Sequence, residues 1–481
     1  MIFPGFVGST YTAPSGNVSM ERCVNFYPEV HTVPGTTPKA RISLMPTPGL
    51  SLWATIGSGP IRGMFYQDGR LYVVSGIEFY EVVAASTGTL YSPTVEASVQ
   101  PVSFSSNGTG GNQLFLVSGS KGYTFNTSTN TFALISDADF PSSVVMGGFT
   151  DGYSVVLRRN TSQFYYSALN NATSWDALDV STKSQSSDFI RALVVDHKEV
   201  WLLGSKTTEV WFNSGNSDNP FVPIQGVLIE HGIGPIWSWA KLNNTICWIG
   251  QDVEGSGIAW MAQGYVPVRF STHAVEYAWK QYSSIDDAIA YGYQEHGHSF
   301  YVVTFPTAKA TWAYDFATQM WHERGRWNAA TFEAHLGRSF SLGFDGALLV
   351  GSRIDGKIYK MSSTYLNDDG SAIRRVRRSP TLTNENKWLF YDNFELDMNV
   401  GVGLVSGQGV DPQVMLRWSN DNGKTWSNEH WTTAGAMGTY STRANWSRLG
   451  RGRNRVFEIA VSDPVKWEIT QAYLHTRPGQ H

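Results

Sequence analysis

The chain has 481 residues and a formal net charge of −4, which excludes a protein that attracts nucleic acid through an overall excess of Lys and Arg. Only 16% of the residues are charged, whereas 14% are aromatic and 47 residues are Gly. This composition is typical of turn-rich β structure with aromatic strands, so we predict an all-β protein without long helices.

Cysteine usage and known sequence motifs narrow the range of functions. Cys23 and Cys247 lie far apart without the spacing of metal ligands, so both are interpreted as buried thiols. The N-terminus lacks the features of a signal peptide, and no run of about 18 to 20 apolar residues predicts a membrane span. Phosphate-loop, nucleophile-elbow, zinc-protease and dinucleotide motifs are absent from the sequence, so we expect no enzyme, cofactor or metal.

Residues 1–56 are predicted to form an N-terminal arm with closing strands. The first 40 or so residues are rich in Pro, Gly, Ser and Thr and read as extended chain. Residues 41–56 read as two short strands around a Pro-Thr-Pro-Gly turn. We hypothesise that residues 41–44 or 50–56 pair with the last unit of the following domain and close it into a ring.

Residues 57–363 contain a recurring unit of short strands. Each unit combines an apolar strand, a polar turn, an alternating strand, a second turn and an aromatic strand. The units begin near Ile61, Pro101, Val145, Ile190, Trp237, Ala288 and Phe332. A spacing of about 40 to 50 residues is the period of four-stranded propeller blades, so this region is predicted to be a β-propeller of six or seven blades.

The clearest copy of the unit is residues 296–324, which also offers candidate site residues. His296 and His298 flank a glycine beside Glu295, an arrangement that is able to present two imidazoles to a metal. No third His or Cys is nearby in the sequence, which favours a surface or packing role for both histidines. Asp286, Asp287, Glu295 and Glu323 are candidates for the paired carboxylates of a glycosidase, but turns and strand ends predict ordinary solvated carboxylates.

Residues 364–481 are predicted to form a second all-β domain that resembles a sandwich, because longer strands replace the repeated unit. Ser419, Asp421, Gly423 and Trp426 match an Asp-box, a motif of hairpin turns in sialidases and other glycan-processing propellers. The box is not catalytic in those proteins and occurs once here, so we interpret it as a structural turn.

Two arginine clusters are candidates for subunit-interface or DNA-channel contacts. Arginine pairs with carboxylate as well as with phosphate, and phosphate binding needs many cations on one face, so interfaces are favoured. The members that we select are Arg374, Arg375, Arg377, Arg378, Arg448, Arg451, Arg453 and Arg455.

The order of several short sequences along the chain resembles a known family, the packaged-DNA stabilisation proteins of short-tailed, podovirus-type bacteriophages. These proteins are also called tail accessory factors or tail hub and nozzle proteins. The matching stretches are residues 22–29 (RCVNFYPE), 46–49 (PTPG), 61–64 (IRGM), 298–324, 416–426, 440–455 and 462–465 (SDPV).

The resemblance implies a non-enzymatic structural protein of the phage virion that is assembled in the host cytoplasm. It implies a homohexameric ring below the portal and adaptor that extends the DNA exit channel and retains the packaged genome until ejection. The implied partners are further copies of the chain, the adaptor or head-to-tail connector protein, and needle, spike or fibre proteins. Double-stranded DNA would touch the channel transiently, and a sparsely charged wall would let it slide.

An alternative is a propeller-type glycan-binding protein or glycosidase that acts on the host surface. It is suggested by the Asp-box and by the 18 Trp residues. Under the first hypothesis, the N-terminal arm and the arginine-rich final domain are the expected contacts to neighbouring subunits.

Overall fold

The computed structural model describes residues 2–33, 39–85, 88–252 and 254–479. Within these ranges the chain is all-β apart from a single α-helix. It forms a propeller of seven sheets, which is followed by a two-sheet sandwich. The predictions of an all-β chain, a propeller of six or seven blades and a C-terminal sandwich are confirmed. Each predicted unit start lies at or near the beginning of one blade.

Blades 1 to 3 are meanders of four antiparallel strands in sequence order. Tight turns join their strands, as at Asp68 and Gly69, where φ values of 51° and 76° suit the left-handed conformation of both central residues. The strands are Ile61–Gln67, Arg70–Ser75, Glu78–Val82 and Thr89–Tyr91; Ser103–Ser106, Gln113–Ser118, Lys121–Asn126 and Thr131–Leu134; and Val144–Thr150, Tyr153–Arg158, Gln163–Ala168 and Asn171–Thr182.

Blades 4 and 5 repeat this topology, and the helix His273–Lys280 follows them. Thr272 caps the helix, since its side chain accepts the backbone N–H of Val275. Trp279 on this helix is fully buried against Phe305 and Trp321 of the next blade. The strands are Ile190–Asp196, Glu199–Gly204, Thr208–Asn213 and Phe221–Ile229; and Ala240–Leu242, Thr245–Gln251, Gly257–Gln263 and Val266–Arg269.

Blades 6 and 7 complete the propeller. The outer strand of blade 7 comes from the N-terminal region, because Gly49–Thr55 pairs antiparallel with Lys357–Ser362. The hypothesis of a closing strand near residues 50–56 is therefore confirmed. The other strands are Ile289–Glu295, His298–Phe305, Ala310–Asp315 and Met320–Asn328; Thr331–Ala334; and Gly337–Leu342, Leu348–Ser352 and Lys357–Ser362, with the short 3-10 turn Phe344–Gly346.

Glycines allow neighbouring blades to approach each other closely. A Cβ atom at Gly63 in blade 1 would lie 2.8 Å from the ring of Phe104 in blade 2, and one at Gly351 in blade 7 would lie 2.5 Å from Ile61 in blade 1. The second contact joins the last blade to the first. Apolar layers between blades therefore stack into a closed ring, which leaves a cavity of about 440 Å³ between the innermost strands.

The sandwich contains both the first and the last described segments of the chain. Its first sheet holds Tyr11–Thr12, Met20–Val24, Arg375–Arg378, Leu382–Thr383, Gln413–Ser419, His430–Thr433 and Asn454–Val461. Its second sheet holds Phe26–Val33, Lys39–Pro46, Leu389–Met398, Ala444–Ser447, Arg451–Gly452 and Ile469–Pro478. Two short strands, Asn367–Asp368 and Ser371–Ala372, extend blade 7. The N-terminal arm lies on this chain's own sandwich, because Phe3 and Phe6 are buried against Phe394 in its core.

The strand Met20–Val24 joins the two domains into one continuous sheet. It pairs antiparallel with Arg375–Arg378 of the sandwich, and Val24 also forms a parallel bridge with Glu323 on the outer strand of blade 6. Asn25 strengthens the junction, since its side-chain amide donates to the carbonyl oxygens of Gly325 and Arg374. The junction therefore consists of backbone pairing, not of a linker between independent domains.

Several ionisable side chains are buried near this junction. His322 in blade 6 is fully buried, and neither of its ring nitrogens has a hydrogen-bond partner among the residues that the structure describes. Burial, together with the charges of Arg324 and His298, lowers the pKa of His322 well below its usual value. Cys23 and Cys247 are free and buried, as predicted, and burial raises the pKa of Cys23 to about 12.

The closing strand supplies the first testable prediction. Leu50→Ala should lower the free energy of unfolding by about 2–5 kcal/mol, because the Leu50 side chain is fully buried in blade 7. Leu52 lies on the same strand with 46% of its surface exposed, so Leu52→Ala should change stability by less than about 0.5 kcal/mol. Chemical denaturation measures both values. Equal effects would contradict the closing role.

The second prediction concerns acid sensitivity. His322 is protonated in the unfolded chain below pH about 6.5 but resists protonation in the folded protein, so stability falls as the pH drops through that value. Between pH 7.5 and 5.5 this histidine should cost about 1.4 kcal/mol, and His322→Phe should remove that loss. Denaturation at both pH values measures it, with exposed His475→Phe as the control. If the stability of His322→Phe depended on pH as strongly as that of the wild type, His322 would not be the source of the acid sensitivity.

Candidate functional site

A pocket lined by arginines lies where the sandwich meets blade 6. Its volume is about 300 Å³, and it opens between the strand Met20–Val24, the outer edge of blade 6 and the first sandwich sheet. We call it the arginine pocket. Its lining residues are Arg22, Trp327, Ala330, Thr331, Phe332, Arg374, Val376, Arg378, Arg417 and Glu458.

Glu458 forms the base of the arginine pocket and is only 2% exposed. Its two carboxylate oxygens accept separately, Oε2 from Arg378 Nε at 2.8 Å and Oε1 from Arg417 Nε at 2.7 Å. Burial alone would raise the pKa of Glu458, but the charges and hydrogen bonds of the two guanidinium groups outweigh it and keep the pKa below its ordinary value. Glu458 therefore stays ionised and fixes both arginines.

A second ion pair crosses from the N-terminal arm to the propeller. Arg22 donates from Nε and Nη2 to Glu323 in a bidentate arrangement, at 2.9 Å to Oε1 and 2.7 Å to Oε2. Arg374 donates to Glu429 at 2.6 Å. Four arginines thus share the three carboxylates of Glu323, Glu429 and Glu458, and the pocket keeps an excess of positive charge.

Three of these guanidinium groups stack on tryptophan rings. Arg374 lies 4.7 Å from the ring centroid of Trp327, while Arg378 and Arg417 lie 4.8 and 4.7 Å from that of Trp426. Such stacking holds a guanidinium plane in one orientation and leaves its edge available for hydrogen bonds.

The Asp-box residues form the turn that places Trp426. Ser419 Oγ donates to Asp421 Oδ1 at 2.6 Å and accepts the Gly423 N–H at 2.8 Å. Gly423 has a φ of 84°, a conformation that glycine adopts without strain. The indole N–H of Trp426 then donates to the carbonyl oxygen of Gly423 at 3.1 Å. In this chain the box therefore positions Trp426, on which the pocket residues Arg378 and Arg417 stack.

Three of the arginines that the sequence selected are internal. Arg375, Arg377 and Arg455 are at most 1% exposed. Arg377 holds the N-terminal arm, since it donates to the carbonyl oxygens of Gly5 and Ser9 at 2.8 and 2.7 Å. The prediction that these three arginines contact a partner or DNA is therefore wrong, because their guanidinium groups are enclosed by this chain.

The remaining selected arginines are accessible. Arg374 and Arg378 line the arginine pocket, and Arg448, Arg451 and Arg453 are exposed on the sandwich. Arg451 and Arg453 both stack on Trp388, at 4.6 and 4.9 Å from its ring centroid. An intermolecular role for these five residues stays a prediction. Sequence reasoning missed Arg22 and Arg417, which are isolated in the sequence and join the pocket only through strand pairing.

The two histidines beside Glu295 have separate environments. His298 is buried with Nδ1 2.8 Å from Asp315 and Nε2 facing Glu29, whereas His296 is exposed and bonds to Ser363. Across the described ranges, no group of three or more His, Cys, Asp or Glu residues is arranged to hold a metal.

The carboxylates considered as catalytic candidates each have a structural partner. Glu323 pairs with Arg22, and Glu295 accepts the Ser363 N–H at 2.8 Å. Asp287 accepts the Thr307 N–H at 2.6 Å, and Asp286 accepts from the Gln251 amide at 3.3 Å. All four carboxylates therefore stabilise turns or strand ends through these contacts.

Glu458 supplies the third prediction. Glu458→Gln should lower the free energy of unfolding by about 3–5 kcal/mol, because it leaves two guanidinium groups without their shared buried counter-charge. Glu385→Gln, in an exposed pair with Lys387, is the matched control and should cost less than about 1 kcal/mol. Urea denaturation compares them, and a Glu458→Gln variant as stable as the control would contradict the pocket's charge arrangement.

Comparison with known proteins identifies the family. The family model described as "Bacteriophage P22 Gp10, beta-propeller" matches residues 8–366, and that described as "Bacteriophage P22 Gp10, beta-sandwich" matches residues 374–477. No curated protein matches the chain. No helix in the described part of the chain has the length and apolar character needed to cross a membrane.

Three solved structures show partial similarity to this chain. They are the computationally designed Ika8 protein (10% identity, 64% of this chain and 99% of that chain, TM-score 0.39), the N-terminal domain of Nup159 (9%, 69% and 98%, 0.38) and the extracellular domain of a putative one-component system from B. thetaiotaomicron (10%, 91% and 62%, 0.40). TM-scores this low do not support any conclusion. The two family matches together span both domains. They show that the chain belongs to the bacteriophage P22 Gp10 family and is a structural component of a phage tail.

Proposed function

We propose that this chain is a tail hub or nozzle subunit that extends and closes the DNA exit channel below the portal and adaptor and thereby retains the packaged genome. The observation that carries the proposal is the pair of family matches, because they cover the propeller and the sandwich in the order found here. The family-level role is structural, and the specific position in the tail is the proposal.

The joint between the domains is suited to a subunit under mechanical stress from packaged DNA. One sheet continues from blade 6 through Met20–Val24 into the sandwich, and Arg22 is paired with Glu323 across the same boundary. Backbone pairing of this kind resists bending between domains far better than a flexible linker does. A subunit that must keep a channel closed against packaged DNA benefits from such a joint.

A ring of subunits is the proposed assembly. Rings form when each copy uses two different surfaces in a head-to-tail contact that closes, and we propose six copies. The exposed arginines Arg448, Arg451 and Arg453 are proposed contacts to neighbouring copies or to the adaptor, needle, spike or fibre proteins. Passing DNA would touch the channel only transiently, because a chain with 16% charged residues and a net charge of −4 holds phosphate weakly.

A glycan-directed function receives no specific support from the site. The Asp-box that suggested it forms a turn whose Trp426 is covered by Arg378 and Arg417. Such a ring face is occupied within the protein and does not offer the open aromatic platform that a sugar ring would use.

The fourth prediction tests the assembly. Mass photometry of the full chain should show a species near six times the 53.3 kDa monomer, either alone or after addition of the phage's portal–adaptor complex, and electron microscopy should show a ring with an axial hole. A protein that stays monomeric and does not add to the portal–adaptor complex would refute the proposal. Binding of such a monomer to purified host-surface polysaccharide would favour the glycan-directed alternative.

A further inference from the structure

Blade 3 carries a protruding segment on its outer strand. Tyr165 pairs with Val180 and Ser167 pairs with Trp175, so residues 176–179 lie opposite Tyr166 alone and bulge out of the sheet. Leu178 at the tip is 85% exposed, the largest value among the large hydrophobic side chains of the described residues. We call residues 176–179, Asp-Ala-Leu-Asp, the acidic bulge.

The two carboxylates of the acidic bulge have no cationic partner among the residues that the structure describes. Asp176 Oδ1 accepts the backbone N–H of Leu178 at 2.8 Å, which fixes the shape of the tip. Partial burial and the neighbouring charge of Asp176 raise the pKa of Asp179, as expected for like charges held together. Asp179 also bonds to the side chain of Tyr166. The bulge therefore presents two carboxylates without a cationic partner around an exposed apolar side chain. Charged side chains and bulges also protect the edge of a sheet, but the exposed Leu178 adds nothing to such protection.

The arginine pocket offers the complementary chemistry. Arg22, Arg378 and Arg417 each use Nε and Nη2 on Glu323 or Glu458, while Nη1 of each has no hydrogen-bond partner among the described residues. These side chains are 30%, 14% and 33% exposed, and none of the three Nη1 atoms is buried without a partner. Three donors with a positive excess thus face a cavity beside the apolar surfaces of Trp327 and Phe332.

We propose that the arginine pocket of one subunit receives the acidic bulge of a second copy of this chain. In this contact, Asp176 and Asp179 accept from the free Nη1 groups and Leu178 packs on Trp327 or Phe332. The proposal rests on the ring assembly proposed above. Carboxylates bind guanidinium edges through short charge-assisted hydrogen bonds, and stacking of Arg378 and Arg417 on Trp426 keeps two of the three donors in place.

The shape of the pocket favours a protein carboxylate over a DNA phosphate. Duplex binding needs cations distributed along one face, whereas these arginines surround a single cavity of about 300 Å³ with Glu458 at its base. A protruding loop can enter such a cavity, and a duplex backbone cannot.

The positions of the two surfaces suit a head-to-tail interface. The acidic bulge lies on blade 3 and the arginine pocket lies beside blade 6, three blades further round a seven-bladed propeller. The two patches are therefore on different sides of one subunit and cannot satisfy each other within it. Different patches on opposite sides generate rings, in contrast to the self-complementary patch of a two-fold dimer.

The fifth prediction is a peptide-binding test on the full-length protein. A labelled peptide of residues 171–182 should bind the wild-type chain in fluorescence anisotropy, and an Asp176→Asn, Asp179→Asn peptide should bind at least about 10-fold more weakly. Arg417→Gln, which removes a charge at a partly exposed position, should weaken the native peptide by a similar factor. Arg443→Gln, at a side chain that is 75% exposed and does not line the pocket, is the control and should leave binding unchanged.

An assembly test replaces the two carboxylates of the bulge, of which Asp176 is exposed and Asp179 is half-buried beside Tyr166. Asp176→Lys with Asp179→Lys should abolish ring formation, while Asp139→Lys with Asp218→Lys, the same charge change at other exposed sites, should leave it intact. Rings formed by the bulge variant, or a native peptide that binds no better than its Asn form, would overturn the inference while the hub proposal stands. If wild-type protein forms no ring, the hub proposal fails and the peptide result decides the role of the pocket.

A rival occupant is tested in the same assay. The inference is wrong, and the pocket is a phosphate site, if a short DNA duplex binds the wild-type chain and Arg417→Gln weakens binding of the duplex but not of the peptide. If Arg417→Gln loses peptide binding while its duplex binding is unchanged, the inference is supported.

Discussion

The N-terminal region supplies the backbone pairing on which the rest of the structure depends. Gly49–Thr55 completes blade 7, and Met20–Val24 fills the gap between blade 6 and the sandwich. Each strand satisfies edges that would otherwise present unpaired N–H and C=O groups to solvent. One stretch of fewer than 60 residues therefore closes the propeller and attaches the second domain, so neither domain is an independent unit in the usual sense.

Charge burial at the domain boundary follows from that pairing. Drawing Met20–Val24 between two sheets brings Arg22 to Glu323 although 301 residues separate them in sequence. Burial of ionised groups is costly unless every one is paired, and here the shared carboxylate of Glu458 pairs two guanidinium groups at once. The excess arginine charge that remains is held open to solvent by stacking on Trp327 and Trp426. The pairing that joins the two domains thus also creates an accessible cationic pocket.

Much of the fold follows from local sequence, because a blade is a local object. Its turns need residues that accept positive φ, as at Asp68 and Gly69, and its strands need alternating apolar residues, so the seven unit starts are readable in order. The Asp-box turn is equally local, since Ser419, Asp421 and Gly423 bond to one another. The site is different in kind. Arg22 and Arg417 are unremarkable in the sequence, and Arg377 looks like a surface cation until its position between strands shows that it is buried. Burial and pairing between distant strands are properties of the assembled sheets, so they cannot be predicted from the local sequence pattern.

The closing strand also has a consequence for the order in which the chain folds. Blade 7 stays open until residues near 362 have left the ribosome, and the first sandwich sheet stays incomplete until residues near 461 have done so. During that interval Met20–Val24 and Gly49–Thr55 lack the distant strands with which they pair in the folded protein, and the edges of finished blades are exposed. Contacts this distant make closure a late and slow step, so incomplete chains are exposed to edge-to-edge aggregation. With only 16% charged residues, the chain has few charged side chains to protect those intermediates while the last strands are being made.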